Sequence, residues 1–408
     1  MADYSSLKPF AHPTRATIPV VARYEETVTD LCAALFAEFR RYDQRIRARQ
    51  YMDGLLRAQG RKSIANIAAA VGVPGDEQRL HHFVSSSHWA WSPVRRALAA
   101  FLEEEGVPAV WVVLPVSIPK TGEHSVGVSR HFSPDSRQVV NGQRAYGIWY
   151  ASERVFAPVS WRLHLPEAWL DNRSRRTKAE VPDELSAATP EDCVAGLRDD
   201  VRLWGDPARP VMTDARGVGE DRYLARLFDK KDSPVFVRIS GHTRLMLDDR
   251  TRTGQGGHCA PARNLLVPER RLRCVVRRAG PAEPPQLRPL ATATATVRLP
   301  PLKGAGHTAL KSPGPLNLLG LWHDMRRPPT ELWLTNMDAS RATALLRTTR
   351  FIHMVGSGWQ TRGEAVGLRD YEGRSFPGWH RHMTLASCAY ALSSLKDASP
   401  DRCSGLSA

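Results

Sequence analysis

Pro210-Val211-Met212-Thr213-Asp214 is a short apolar strand that ends on an acid, and its reading decides the fold. Asp221 to Phe228 follows with helical spacing, and Val235 to Ser240 is a second β-branched strand. Strand, helix, strand predicts an α/β core. Upstream, Val110-Trp111-Val112-Val113-Leu114 is an unbroken β-branched run of the kind buried on both faces of a sheet. Val126 to Arg130, Val139 to Tyr150 and Val155 to Leu165 are predicted as its neighbours, and Pro190 to Trp204 as a polar helix. Downstream, Glu331-Leu332-Trp333-Leu334-Thr335-Asn336 returns as a strand, with helices from Ala339 to about Val355 and from Trp379 to Leu395.

Around this core the chain divides by composition. Residues 1–24 read as an arm, and residues 25–106 as a helical domain with apolar residues three and four apart (Leu31, Ala34, Leu35; Leu55, Leu56; Ile64, Ile67, Ala68), whose basic cluster Arg40, Arg41, Arg45, Arg47 and Arg49 could track a phosphate backbone and makes it the candidate DNA-binding domain. Ser92-Pro93 opens its last helix, with Pro in a permitted early position. The core occupies 107–240 and 331–395. Between them, 241–330 is dense in Pro, Gly, Arg and Thr and reads as a β-rich insertion, with Ala291 to Leu299 as an alternating strand; 396–408 reads as a flexible tail.

The chain has 408 residues, 42% hydrophobic and 24% charged, enough for large cores. Its 57 basic residues against 42 acidic give +15, which favours a polyanionic partner. Double-stranded DNA is the expected one, and a homodimer is left open. Apolar runs such as Ala109 to Leu114 and Ala386 to Leu392 fall short of the roughly 20 residues that cross a bilayer, so no membrane partner is expected. The N-terminus lacks a basic and apolar leader, which places the protein in the cytoplasm, associated with the nucleoid. Six dispersed cysteines without a CxxC pair read as reduced thiols. Gly254 to Gly257 has no following Lys-Ser/Thr, so no P-loop is expected, and no GxSxG elbow occurs.

Four segments together resemble the bacterial insertion-sequence transposases of the DDE superfamily. They are Arg79-Leu80-His81-His82-Phe83-Val84 with Trp89; Pro119-Lys120-Thr121-Gly122-Glu123-His124-Ser125-Val126-Gly127-Val128; Trp161-Arg162-Leu163 with Leu165-Pro166-Glu167-Ala168-Trp169; and Gly367-Leu368 through Tyr371-Glu372 and Arg374-Ser375 to Gly378-Trp379 and Arg381-His382. They follow the family's order over roughly residues 50 to 395. The resemblance implies a ribonuclease H-like fold, a mixed sheet with two catalytic aspartates on separate strands and a glutamate on a later helix. Such acids hold two Mg²⁺ ions about 3.5–4 Å apart.

Placed by that resemblance, the first acid falls at Leu114 or Pro115, the second at Asp214 and the third at Gly356 or Ser357. Only Asp214 is a carboxylate. Glu364 lies about 12 Å from Gly356 along a helix, too far to replace it, and Glu123 and Asp221 serve only if their loops fold back on Asp214. Gly356, Gly358 and Gly363 should weaken the helix, and Pro115 should fray or bulge the sheet. Asp214 is expected to cap the following helix rather than bind metal.

The expected function is therefore a catalytically inactive, transposase-like DNA-binding protein repurposed as a regulator, with no cofactor. The alternatives are an active or decaying transposase, which alone would need Mg²⁺, or a fold recruited to other enzyme or protein-contact work. Residues expected to contact DNA are Arg40, Arg41, Arg45, Arg79, His81, Lys120 and Arg381, with Arg47 and Arg49 in the same basic cluster. His380 and His382 flank Arg381 and read either as backbone contacts or as cover for the core's edge.

Overall fold

The computed structural model describes residues 20–72, 77–106, 110–133, 136–216, 220–230, 232–248, 259–266, 276–278, 288–301 and 313–398, save 323 and 325. Gly254 to Gly257 lie outside them. Five helices come first: α1 (Val20–Phe36), α2 (Tyr42–Arg57), α3 (Ile64–Ala70), α4 (Glu77–Ser85) and α5 (Trp91–Glu105). The core follows with β1 (Val110–Pro119), β2 (Val128–Ser133), β3 (Gln138–Ala151), β4 (Phe156–Leu163), α6 (Glu167–Leu170), α7 (Arg173–Lys178) and α8 (Pro190–Trp204). Then come β5 (Val211–Asp214), α9 (Glu220–Leu227) and β6 (Val235–Ile239).

β5 pairs in parallel with β1 and with β6, while β1 pairs antiparallel with β3, which carries β4 on its other side. The order β4-β3-β1-β5-β6 is the ribonuclease H-like mixed sheet. α8 begins where Thr189 and Asp192 form a reciprocal capping box ahead of Pro190, which satisfies donors the first turn would leave bare.

The stretch read as an insertion contributes β7 (Arg244–Leu247), β8 (Cys259–Pro261), α10 (Ala262–Leu265), β9 (Val276–Arg278), β10 (Arg288–Arg298) and β11 (Leu316–Trp322). These strands are not a separate sheet. β12 (Glu331–Thr335) joins β6 on one side and β11 on the other, so among the described residues one twelve-stranded sheet runs through both parts.

The chain continues with α11 (Ala339–Leu345), α12 (Arg350–Gln360), α13 (Arg362–Ala365) and α14 (Phe376–Asp397). α14 is opened by Ser375, whose Oγ accepts from Gly378 N at 3.2 Å. It is buried on every side, between β4 and the helices α2, α4 and α5. The N-terminal helices therefore share one apolar core with the sheet rather than forming a detached unit. Fully burying side chains such as Trp379, Leu385 and Tyr390 contributes roughly 1.5–3 kcal/mol each. No helix among the described residues is long and apolar enough to cross a membrane.

Of two expectations about disrupted elements, the one for Pro115 is narrowed and the one for the glycines of α12 is corrected. The β1–β3 ladder is continuous through Pro115, which faces Tyr146. Lys120 N donates to Asn141 O and Trp111 N to Pro210 O, so alternation turns the odd-numbered amides of β1 toward β5. The β5 pairing stops at Val113 although β5 itself runs on to Asp214, so the missing Pro115 amide ends the ladder on the β5 side alone and leaves the β3 side intact. α12 likewise runs unbroken through Gly356 and Gly358. A Cβ at Gly358 would overlap Phe156 and Tyr390; this glycine lets the helix approach its neighbours, and packing outweighs its poor helix propensity.

Candidate functional site

The elements expected to carry the acids lie together. Thr213 pairs with Val113, which puts Leu114 level with Asp214, and α12 packs across β1 and β5. Leu114, Pro115, Gly356 and Ser357 supply no ligand oxygen comparable to a carboxylate. Glu123 is exposed beside Arg175, Asp221 is exposed, and Glu364 is exposed on α13, so none joins Asp214. Among the described residues, no three His, Cys, Asp or Glu side chains are grouped closely enough to hold a metal.

Asp214 does not cap a helix among the described residues. Its Oδ1 accepts from Arg216 N at 3.0 Å, and its two oxygens accept from Arg216 Nε at 3.0 and 3.1 Å and Nη2 at 2.7 Å. These hydrogen bonds hold the guanidinium above its ordinary pKa range. Arg238, in the adjacent register position on β6, places Nη1 3.9 Å from Asp214 Oδ2 and Nη2 3.6 Å from Glu331 Oε1. Glu331 is buried; Trp333 Nε1 donates to its Oε2 at 3.1 Å, and His353 Nε2 on α12 stands 3.8 Å from Oε1. Among the described residues two carboxylates face two guanidiniums. A divalent cation does not fit here: it would need oxygens that Arg216 holds, and it would enter beside two fixed positive charges.

Glu331, Arg216, Arg238 and His353 were not anticipated. The usable signal was Arg238 inside Val235-Phe236-Val237-Arg238-Ile239, since a charge in a buried strand requires a buried partner.

The residues expected on DNA fall into two groups. Arg40, Arg41 and Arg45 are exposed at the start of α2, and Arg79 and His81 are exposed on α4. Arg41 is paired with Asp43 at 2.9 Å, Arg45 donates to Phe39 O at 3.0 Å, and His81 Nε2 lies 3.4 Å from Ser85 Oγ. Arg47 donates to Gln50, and Arg49 lies 3.8 Å from Asp53. Tyr42 and Ile46 are exposed on the same helix.

Lys120 and Arg381 are corrected to structural roles. Lys120 Nζ donates to Tyr371 O at 2.7 Å and Arg369 O at 3.3 Å, and burial pushes its pKa down to about 8. Arg381 is buried. It donates to Val84 O and Ser85 O, the unsatisfied carbonyls ending α4, at 3.2 and 3.1 Å, and to Trp89 O at 3.4 Å. Both histidines beside it also belong to the core. His380 stacks on Trp91 and meets Arg95 Nη2 at 3.1 Å. His382 Nε2 lies 2.8 Å from Gly367 O and Nδ1 2.8 Å from Tyr51 Oη, which fixes a neutral ring with its proton on Nε2. Burial lowers its pKa to about 4.

The family model for the DDE superfamily endonuclease matches residues 34–292, more than half of the chain. The chain belongs to the DDE superfamily endonuclease family. In this DDE family member the match contains the first two acid positions and ends ahead of α12, which carries the third. No curated protein matches the chain. Among solved structures, a piggyBac transposase synaptic complex with hairpin DNA is similar at 10% identity and a TM-score of 0.34, covering 97% of this chain and 84% of that one.

Proposed function

We propose that this DDE family member is a DNA-binding protein that no longer performs strand transfer and acts as a regulator at sites its ancestor recognised. The observation that carries the reading is the state of Asp214: Leu114 stands level with it, and it is paired with Arg216 and Arg238. The net charge of +15 supports a DNA partner held largely through phosphates. Arg40, Arg41, Arg45, Arg79 and His81 present the exposed helical surface assigned to that contact. The protein is expected to work in the cytoplasm on the nucleoid, without Mg²⁺.

The test is selection of sheared genomic DNA on the purified protein in EDTA across a salt series. Enrichment of discrete sites, weakening steeply with salt, is the expected result. Uniform or absent retention rejects the regulator. Nicking of terminal-repeat DNA in Mg²⁺ or Mn²⁺ that Asp214→Asn abolishes would instead establish an active transposase.

A further inference from the structure

β2 and the first residues of β3 form a two-stranded ribbon that runs past the end of β1, whose ladder with β3 stops at Pro119 and Gly142. Opposite pairs along one face of the ribbon are Val128 with Gln143, Arg130 with Asn141, and Phe132 with Val139. The first pair is buried in the body of the molecule. The last is not: Phe132 is 55% and Val139 60% exposed, side by side. Such a pair loses the burial that normally stabilises a hairpin, so its placement asks for a partner.

The surface at the foot of this face is polar and basic. A cavity of about 190 Å³ there is lined by Arg130, Asn141, Trp169 and Arg175, among others. Arg175 lies over the Trp169 ring at 5.9 Å and donates to Glu123 O at 3.2 Å. Arg130 and Arg137 have no ion pair among the described residues, and the stretch 128–141 contains one acid, Asp135.

Size decides between occupants. A whole Phe buries on the order of 150–250 Å², so the exposed parts of Phe132 and Val139 together amount to roughly 200 Å². A stable protein partner covers about 800 Å² per side. The patch is far too small for a second copy of the chain, but it suits an apolar wedge set against one base step, with cations beside it for the flanking phosphates.

We propose that the ribbon enters a groove of duplex DNA, with Phe132 and Val139 wedging against a base step and bending the duplex while Arg130 contacts a phosphate. This inference rests on the DNA-binding reading above and adds a bending element to it. The experiment uses the full chain with a mixed-sequence duplex carrying a donor and an acceptor dye at its two ends. The parent is expected to raise energy transfer on binding. Phe132→Ala/Val139→Ala should bind about tenfold more weakly and leave the duplex straight, with an unchanged salt slope and unfolding midpoint. Arg130→Ala should lower the salt slope by about one. If the double variant binds and bends the duplex like the parent, the wedge is refuted and DNA binding stands. If its only effect is to dissociate an oligomer, the wedge is also refuted. If the parent binds no duplex at all, the reading under Proposed function fails first.

Discussion

Replacing Asp214 by asparagine removes one charge and little else, because the amide oxygen can still accept from Arg216 N. The sign of the resulting stability change separates two pictures of the site. Acids gathered for metal binding repel one another, and neutralising one relieves the strain. Here the neighbours are cations. Arg238 at 3.9 Å attracts Asp214 by roughly 4 kcal/mol at an effective dielectric constant near 20, before desolvation is subtracted. The Arg216 pair is half exposed and screened, and such pairs contribute at most about 1 kcal/mol. With the desolvation of Arg238 offsetting most of its attraction, Asp214→Asn is expected to lose about 1–2 kcal/mol. Urea unfolding followed by tryptophan fluorescence, in EDTA and in excess MgCl₂, measures it. A metal bound at 100 times its dissociation constant would add about 2.7 kcal/mol to the folded state; no such gain is expected. A variant as stable as its parent, or a parent midpoint that rises with Mg²⁺ and stops rising in the variant, would refute the reasoning.

Arg381→Met should cost about 3 kcal/mol or more, since it strips donors from buried carbonyls, yet leave the salt slope of DNA binding unchanged. Arg45→Ala should do the reverse, shifting the slope by about one while stability stays within about 0.5 kcal/mol; salt-titrated binding and urea unfolding of both variants check the pair. Gly358→Ala should destabilise by about 1–3 kcal/mol through overpacking against Phe156 and Tyr390, and an unchanged unfolding midpoint would remove the close-approach argument. Buried His380 and His382 are held neutral, with folded pKa values below the ordinary 6.5. Their contribution is therefore complete above about pH 6.5 and is lost as pH falls toward 4, by about 3 kcal/mol for His382 alone. Unfolding free energies measured between pH 7 and pH 4.5 should decline, and His382→Gln should flatten part of that decline.

Strands and helices whose burial is written in local pattern were legible in the sequence. β1, β5, β6 and α8 lie close to where their apolar runs and caps placed them, because a buried strand must be apolar and a helix start must satisfy its own amides. What escaped the reading depends on partners far along the chain. Lys120 and Arg381 look like surface cations until Tyr371 and Val84 are brought to them across more than two hundred residues. Gly358 looks like a helix breaker until Phe156 and Tyr390 close on it. Glu331 begins an apolar strand, where an acid usually reaches solvent, and only the pairing of β12 with β6 shows that Arg238 waits beside it. The resemblance singled out Asp214 at the end of β5; the arginines that neutralise it were not legible.

α14 also governs how the chain can be made. It is synthesised after every helix and strand it touches, so α2, α4, α5 and β4 must emerge with their inner faces uncovered and wait for it. Domains that fold as they leave the ribosome close early around local contacts; this one closes late, on a segment more than two hundred residues from its partners. A premature stop or frameshift anywhere before residue 376 would leave α2, α4, α5 and β4 without the helix on which they pack. Since total stability is only about 5–15 kcal/mol, and several α14 side chains each contribute a few, the shortened product would be prey for proteases. Partial copies of the gene would yield no partial protein.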